Sequence, residues 1–343
     1  MTGKILFIRR DNIGDLVCTT PAIAATRKAF PDARISILVN TYNADAVSNN
    51  PDIDETYVYE KAKHAPDKNR LSVWLSNMKV LGKIRKEHYD IAIGCGSFSP
   101  RLARYTHMTR ARIRIGYTKK GVDASRWYTV PLLEPDGNLH EVERTMNLLS
   151  PLGVTGEAPK MRVFPSQHEM LHFTSLADAA GGLGKPCLAM HISSRRPENR
   201  WPLDHFISLG RKWAECYGTR IMLLWSPGSE KNVYHPGDDE KAGAIVNALG
   251  QDVLACRTSH LSELIAVLSM ADIVVCGDGG AMHMAAGLGK PIVTMWGSTN
   301  QDRWRPFGID HIILQGKSRR AEDISVEAVS AALDSLLYNR SCL

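Results

Sequence analysis

Residues 271–297 constrain this chain more than any other stretch. Residues 273–276 are a β-branched run with no polar member, the pattern of a strand buried on both faces. Gly277-Asp278-Gly279-Gly280 then permits a sharp turn and lets the backbone come close to a ligand. Helical spacing follows over 282–288, Gly289 and Pro291 stop it, and a second apolar strand occupies 291–296. Strand, glycine turn, helix, strand is a βαβ unit, which implies a parallel sheet. The free N–H groups of its helix point out of the sheet's carboxyl edge, where phosphate binds well. Asp278 and His283 flank the turn, and neither residue type suits a core. We therefore expect a phosphate site at Asp278, Gly279, Gly280 and His283, in preference to a merely structural turn.

The chain opens in the same way. A strand at 4–8 is followed by Arg9-Arg10-Asp11-Asn12-Ile13-Gly14-Asp15, a helix at 21–30 and a strand at 35–39. Asp15 sits at the mouth of the helix, where a carboxylate taken alone is a favourable helix-start charge. A third strand of this kind, 186–192, ends in Ser193-Ser194 and is followed by Arg195, Arg196, Arg200 and Trp201-Pro202. Two hydroxyls and several cations at a strand's carboxyl end make a cradle for a diphosphate. The strand at 220–225 leads to a loop holding Glu230.

Two of these stretches together are specific. Residues 264–297, with Ala271-Asp272 and Met282-His283, resemble the C-terminal signature of glycosyltransferase family 9, the ADP-heptose:lipopolysaccharide heptosyltransferases. Residues 9–22 match that family's opening signature nearly residue for residue. The resemblance implies a GT-B fold, an α/β architecture of two Rossmann-like, doubly wound domains facing each other across a cleft. It implies Asp15 as general base and a basic residue before Trp-Pro against the nucleotide phosphates. That residue is usually Lys in the family, and Arg200 is taken to occupy the position here. Ser193 and Ser194 fall to the phosphates and Glu230 to the ribose. Gly279 departs from the family's usual Ser or Thr, which removes one hydroxyl and keeps the backbone donor.

The resemblance also implies an inverting transfer of heptose from ADP-heptose to a lipopolysaccharide core or similar glycan. No cofactor and no metal would be needed, because Arg200, the serines and a helix N-terminus meet the leaving charge. Asp52 and Asp54 lie in a loop lead-in beside Pro51 and are expected to be structural. A related enzyme using another nucleotide sugar or acceptor, and a non-catalytic nucleotide-binding protein, stay open as alternatives. An oxidoreductase does not fit, since no complete Gly-x-Gly-x-x-Gly follows the first strand. Gly94-Cys95-Gly96-Ser97 lacks the third glycine and reads as a turn.

Length and composition set the frame. With 343 residues the chain suits two domains, and 44% hydrophobic with 23% charged residues is ordinary for a soluble protein. The expected division is 1–165 on the acceptor side, 166–320 for the nucleotide sugar, and 321–343 as a helix crossing back to the first half. No apolar run approaches a membrane span, and the first strand is too short for a signal peptide. A cytoplasmic protein is expected, with peripheral contact at the cytoplasmic face of the inner membrane. Seven scattered cysteines without a CxxC pair read as reduced core residues. The net charge of +6 is modest, but Arg101, Arg104, Arg110, Arg112, Arg114, Lys119, Lys120 and Arg126 crowd one stretch. Nucleic acid is a poor match, because no aromatic-interleaved basic motif accompanies them. An anionic glycan or glycolipid acceptor fits better, with Gly14, Arg101, Arg104 and Arg112 as acceptor-side candidates. Residues 61–70 are polar, basic and loop-like.

Overall fold

Both halves of the chain are built on parallel strands whose central members are almost wholly apolar and buried. The computed structural model describes residues 3–61, 69–232 and 236–341, and it divides into two units, Met1–Arg162 and Val163–Leu343. Most of the basic stretch at 61–70 (62–68) lies outside the described residues.

In the first unit β1 (Lys4–Ile8) feeds α1 (Ile13–Val17), α2 (Thr20–Ala29), β2 (Arg34–Asn40) and β3 (Glu55–Tyr59). Then come α3 (Arg70–Lys86), β4 (Ile91–Gly94), α4 (Pro100–Met108), β5 (Ile113–Thr118), β6 (Val130–Leu133) and α5 (Glu141–Asn147). The six strands are all parallel, in the order β3-β2-β1-β4-β5-β6. Ile5, Leu6, Phe7 and Ile8 have no exposed surface, so β1 is covered on both faces.

The second unit repeats the plan with α6 (Gln167–Ala179), β7 (Leu188–His191), α7 (Leu203–Tyr217), β8 (Ile221–Trp225), α8 (Asp239–Leu249) and β9 (Val253–Arg257). It continues with α9 (Leu261–Met270), β10 (Ile273–Gly277), α10 (Gly280–Gly287) and β11 (Ile292–Trp296). It closes with α11 (Gln301–Trp304), β12 (His311–Gln315) and α12 (Val326–Ser341). Its six parallel strands run β12-β11-β10-β7-β8-β9, which is the same winding read from the other side. In each sheet the order reverses beside the first strand, between β1 and β4 and between β7 and β10. Ligands of doubly wound sheets bind at the carboxyl ends of strands at such a reversal.

Local chemistry explains the elements that frame these points. Helix α7 buries Phe206, Leu209, Gly210 and Trp213, one helical face, and ends at Gly218, whose left-handed φ of 63° suits glycine. Trp201, 1% exposed, enters the same core and donates its indole N–H to the Ile324 carbonyl at 2.8 Å. Helix α12 packs on α7 and the β10–β12 side of the second sheet. Val329, Leu333 and Leu336 lie in the core of the second unit, because their stripe fits the face of β10–β12 beside α7. The six described cysteines are free, and five of them are buried.

Gly116 on β5 lies against the ring of Tyr128, and an added Cβ would come within 2.2 Å of that ring. Gly116→Ala should therefore lower the unfolding free energy by about 1–3 kcal/mol. Urea denaturation beside the wild type checks it.

Candidate functional site

At the reversal point of the first unit, Arg9 leaves the end of β1 and turns back into the protein, where it is 1% exposed. Its Nη2 donates to Asp15 Oδ1 at 2.6 Å and to Glu141 Oε1 at 2.8 Å, and Asp11 Oδ2 lies 3.5 Å from its Nε. Burial alone would depress the Arg9 guanidinium, but Glu141, Asp15 and Asp11 carry it well above its usual value. Asp15 is at the third position of α1, and its Oδ2 accepts from the backbone and side-chain nitrogens of Asn12 at 3.2 and 3.1 Å. Asn40, at the end of β2, braces the loop by donating to the carbonyls of Arg10 and Asp11. Burial works against the Asp15 carboxylate, yet Arg9's charge and hydrogen bond, with the bonds from Asn12, hold it below the ordinary carboxylate range. Asp15 is thus an ionised carboxylate whose Oδ1 has a single donor. That oxygen keeps a lone pair for an incoming hydroxyl proton.

The charge chain continues beyond Glu141. Arg144 Nε lies 3.7 Å from Glu141 Oε2, and Arg144 Nη2 donates to Glu134 Oε1 at 2.5 Å and to Ser97 Oγ at 3.5 Å. Gly96, with a φ of +124°, passes so close to Asp11 and Arg9 that a Cβ would sit 3.1 Å from Asp11 Oδ2. The incomplete glycine motif after β4 is therefore a turn that admits the buried cation.

At the reversal point of the second unit, β10 runs into Asp278 and the N-terminus of α10. Asp278 Oδ2 accepts from Thr299 Oγ1 at 2.6 Å and from Asn199 Nδ2 at 3.3 Å, while Asn199 Oδ1 accepts from Gly297 N at 2.8 Å. Asn199, 3% exposed, thereby ties together the loops after β7, β10 and β11. Arg196 Nη1 donates to the same Thr299 hydroxyl at 3.1 Å. An exposed cation thus stands beside the turn that opens α10. Gly279 is the N-cap, and a Cβ there would meet nothing within 4 Å, so the missing hydroxyl is not excluded by packing.

Arg200 goes elsewhere. Its Nε donates to the Ser194 carbonyl at 2.9 Å, and its Nη1 lies 3.5 Å from Glu230 Oε1. It lines a cavity of ≈ 550 Å³ together with Trp201, Glu230, Glu240, Lys241 and Glu322. Next to it, burial pushes the Asp238 carboxyl up, with Ser193, Arg200 and Lys241 pulling against that. Burial also lowers Lys241, whose Nζ donates to the Trp201 carbonyl at 2.7 Å. Three carboxylates against two cations make this cavity a better match for hydroxyls than for phosphates.

The expected residues therefore fall into groups. Asp15 and Gly14 share α1, and Asp278, Gly279 and Gly280 meet at the start of α10. Ser193 Oγ accepts from Ser226 N, and Ser194 Oγ donates to the Arg196 carbonyl, so both hydroxyls have loop partners. His283 is 4% exposed with its ring edge-on to Trp304 at 6.2 Å, inside the helix layer. Arg101 and Arg104 are exposed on α4, which follows the carboxyl end of β4. Arg112 does not join them: it precedes β5 and so lies at the amino edge of the sheet, opposite Asp15, because α4 carries the chain back. Asp54 accepts from Ile35 N and Arg27, and Asp52 pairs with Arg162, as structural loop residues. Sequence reasoning missed Arg196, Asn199 and Glu141. The first two were visible only as loop residues between Ser194 and Trp201, and Glu141 carried no motif. Among the described residues no group of three or more His, Cys, Asp or Glu is placed to hold a metal ion.

Comparison with known proteins shows the family and the fold. Residues 78–330 match the model of glycosyltransferase family 9 (heptosyltransferase). Lipopolysaccharide heptosyltransferase 3 of Escherichia coli is 25% identical over 308 residues, covering 86% of this chain and 83% of its own. A family 9 glycosyl transferase from Veillonella parvula superposes with a TM-score of 0.83 at 21% identity, covering 98% of this chain and 97% of its own. An E. coli heptosyltransferase solved with ADP-2-deoxy-2-fluoro heptose gives 0.77 at 20% identity, covering 97% and 99%. The two Rossmann-like domains are those of the GT-B fold.

The Arg9 cluster carries a stability prediction. Glu141→Gln removes one of the carboxylates that neutralise a buried cation, and should cost about 3–5 kcal/mol at neutral pH. Asp15, held below its unfolded-state value of about 3.9, contributes stability that is complete above that pH and is lost as pH falls through the lower folded-state value. Denaturation midpoints measured from neutral to acid pH should show this loss in the wild type. Asp15→Asn should lack that portion of it.

Proposed function

The chain belongs to glycosyltransferase family 9, the heptosyltransferase family, and from that premise we propose that it transfers a heptose from ADP-heptose to a hydroxyl of a lipopolysaccharide-core acceptor, with inversion. The observation that carries the reading is the Asp15 carboxylate, ionised, 14% exposed, and held by Arg9 and Asn12 with one oxygen still able to accept. Two relatives support the chemistry by name: one is a lipopolysaccharide heptosyltransferase, the other a heptosyltransferase solved with an ADP-heptose analogue.

The acceptor O–H gives its proton to Asp15 Oδ1 as its oxygen bonds to the anomeric carbon. The bond from that carbon to the diphosphate oxygen breaks on the opposite face, and ADP leaves with the electron pair. The charge growing on ADP falls to the N-terminus of α10 and to Arg196, which Thr299 steadies. No step here calls on a metal. Glu230 and its neighbours around the ≈ 550 Å³ cavity suit the ribose hydroxyls, with Arg200 holding Glu230 in place. An ADP-sugar donor puts the reaction on the cytoplasmic side of the membrane.

General-base help is worth about 10²–10⁴-fold, so Asp15→Asn should lose turnover by that factor while binding ADP as the wild type does. Undiminished turnover in that variant would end the base assignment. Arg196→Ala should weaken ADP by roughly tenfold and leave adenosine unchanged, in keeping with one charge-assisted phosphate contact. Arg200→Ala should weaken ADP and adenosine alike. Calorimetric titration of each variant with ADP and adenosine separates the two arginines, and the reversed pattern would exchange their roles.

A further inference from the structure

Helix α3 is apolar on two faces where a helix packed on one side of a sheet needs only one. Val73, Leu81 and Ile84 form the inner face and are buried. On the outside, Leu71, Trp74 and Leu75 are 61%, 56% and 48% exposed. Together with half-buried Met78 they stand at i, i+3, i+4 and i+7, a stripe about 100° wide on the helix surface. Solvent-facing helix positions are ordinarily polar, so a contiguous apolar stripe holding a tryptophan marks a contact surface.

The charges around the stripe say what it meets. Helix α3 contains no acidic residue. Lys79, Lys83 and Lys86 are exposed and follow one another along one flank of the stripe. Lysine is depleted in the cores of protein–protein interfaces. A second copy of this chain, meeting the same face by two-fold symmetry, would set lysine opposite lysine with no carboxylate on the helix to answer it. An apolar strip with an interfacial tryptophan and long-stemmed lysines beside it is instead the make-up of a helix that lies in the plane of an anionic bilayer. Among the described residues no helix is long and apolar enough to cross a membrane, so the contact is a surface one.

We propose that the outer face of α3 docks this protein on an anionic lipid bilayer, with Leu71, Trp74 and Leu75 entering the headgroup boundary and Lys79, Lys83 and Lys86 meeting the lipid phosphates. These residues lie on α3, not on the neighbouring α4 that carries Arg101 and Arg104. It stands whichever sugar or acceptor the enzyme uses, so the transfer reading and the docking reading fail independently.

The test is co-sedimentation of the full-length protein with vesicles of phosphatidylcholine alone and of phosphatidylcholine mixed with phosphatidylglycerol. The wild type should sediment with the mixed vesicles and be released by salt. Trp74→Ser combined with Leu75→Ser should weaken that binding roughly tenfold or more, at an unchanged melting temperature. Lys79→Gln, Lys83→Gln and Lys86→Gln together should also weaken it roughly tenfold or more and flatten its salt dependence. The lysine variant alters only exposed polar positions and carries the test if the first variant misfolds. No wild-type binding to the mixed vesicles, or equal binding by wild type and lysine variant, would overturn the proposal. So would a change in oligomeric state on Trp74→Ser/Leu75→Ser substitution with vesicle binding intact, which would assign the stripe to a second protein chain.

Discussion

A guanidinium that water cannot reach has to be answered by carboxylates held just as firmly, and in the first unit that demand shapes the site. Arg9 collects Asp11 from its own loop, Asp15 from α1 and Glu141 from α5, which arrives more than a hundred residues later in the chain. Glu141 is in turn faced by Arg144, and Arg144 by Glu134, so the charge alternates along a chain that is most deeply buried at Arg9 and Glu141. Each member desolvates the next and each is stable only while its neighbours are present. The Asp15 carboxylate is therefore one end of a network that also fastens α5 to the sheet. Stability and the availability of Asp15 are set by the same contacts. The low affinity of Asp15 for a proton follows from them: the cation that fixes its position also keeps it ionised.

The second unit is braced differently. Its loops are tied by a buried neutral amide, Asn199, whose two ends reach the Asp278 carboxylate and the Gly297 amide. Thr299 joins the same carboxylate and accepts from Arg196, an exposed cation on the loop after β7. Arg9 is thus held inside its unit between carboxylates, whereas Arg196 is held at the surface by a single hydroxyl. Glu230, Glu240 and Glu322 line the cavity beside Arg200 and Lys241, so the second unit keeps its acidic rim apart from the turn that opens α10.

Much of this was legible before any coordinates. The strands at 4–8, 221–225 and 292–296 announce themselves because a parallel strand buried on both faces is almost wholly apolar, and both reversal points fall where glycines and small polar residues follow such strands. Helix α3 is hard to read from the sequence, since Leu71, Trp74 and Leu75 point away from the core and blur the period that marks an amphipathic helix. Arg112 was grouped with Arg101 and Arg104 by nearness in sequence, although a helix between them moves the chain from one edge of the sheet to the other. Arg200 was preferred to Arg196 because it adjoins Trp201-Pro202. The turn at Pro197–Asn199 is what swings the two side chains to different sides.

By itself, the sequence determined the class of fold and the turns that follow its buried strands, because burial periodicity and glycine placement are local properties written in consecutive residues. Only the tertiary structure decided that Glu141 shares Arg9 with Asp15, that Asn199 joins three loops, and that Arg196 reaches Thr299 while Arg200 reaches Glu230. Those are contacts between segments far apart in the chain. Their energies depend on distance and on the exclusion of water, and no stretch of residues read in order contains either quantity.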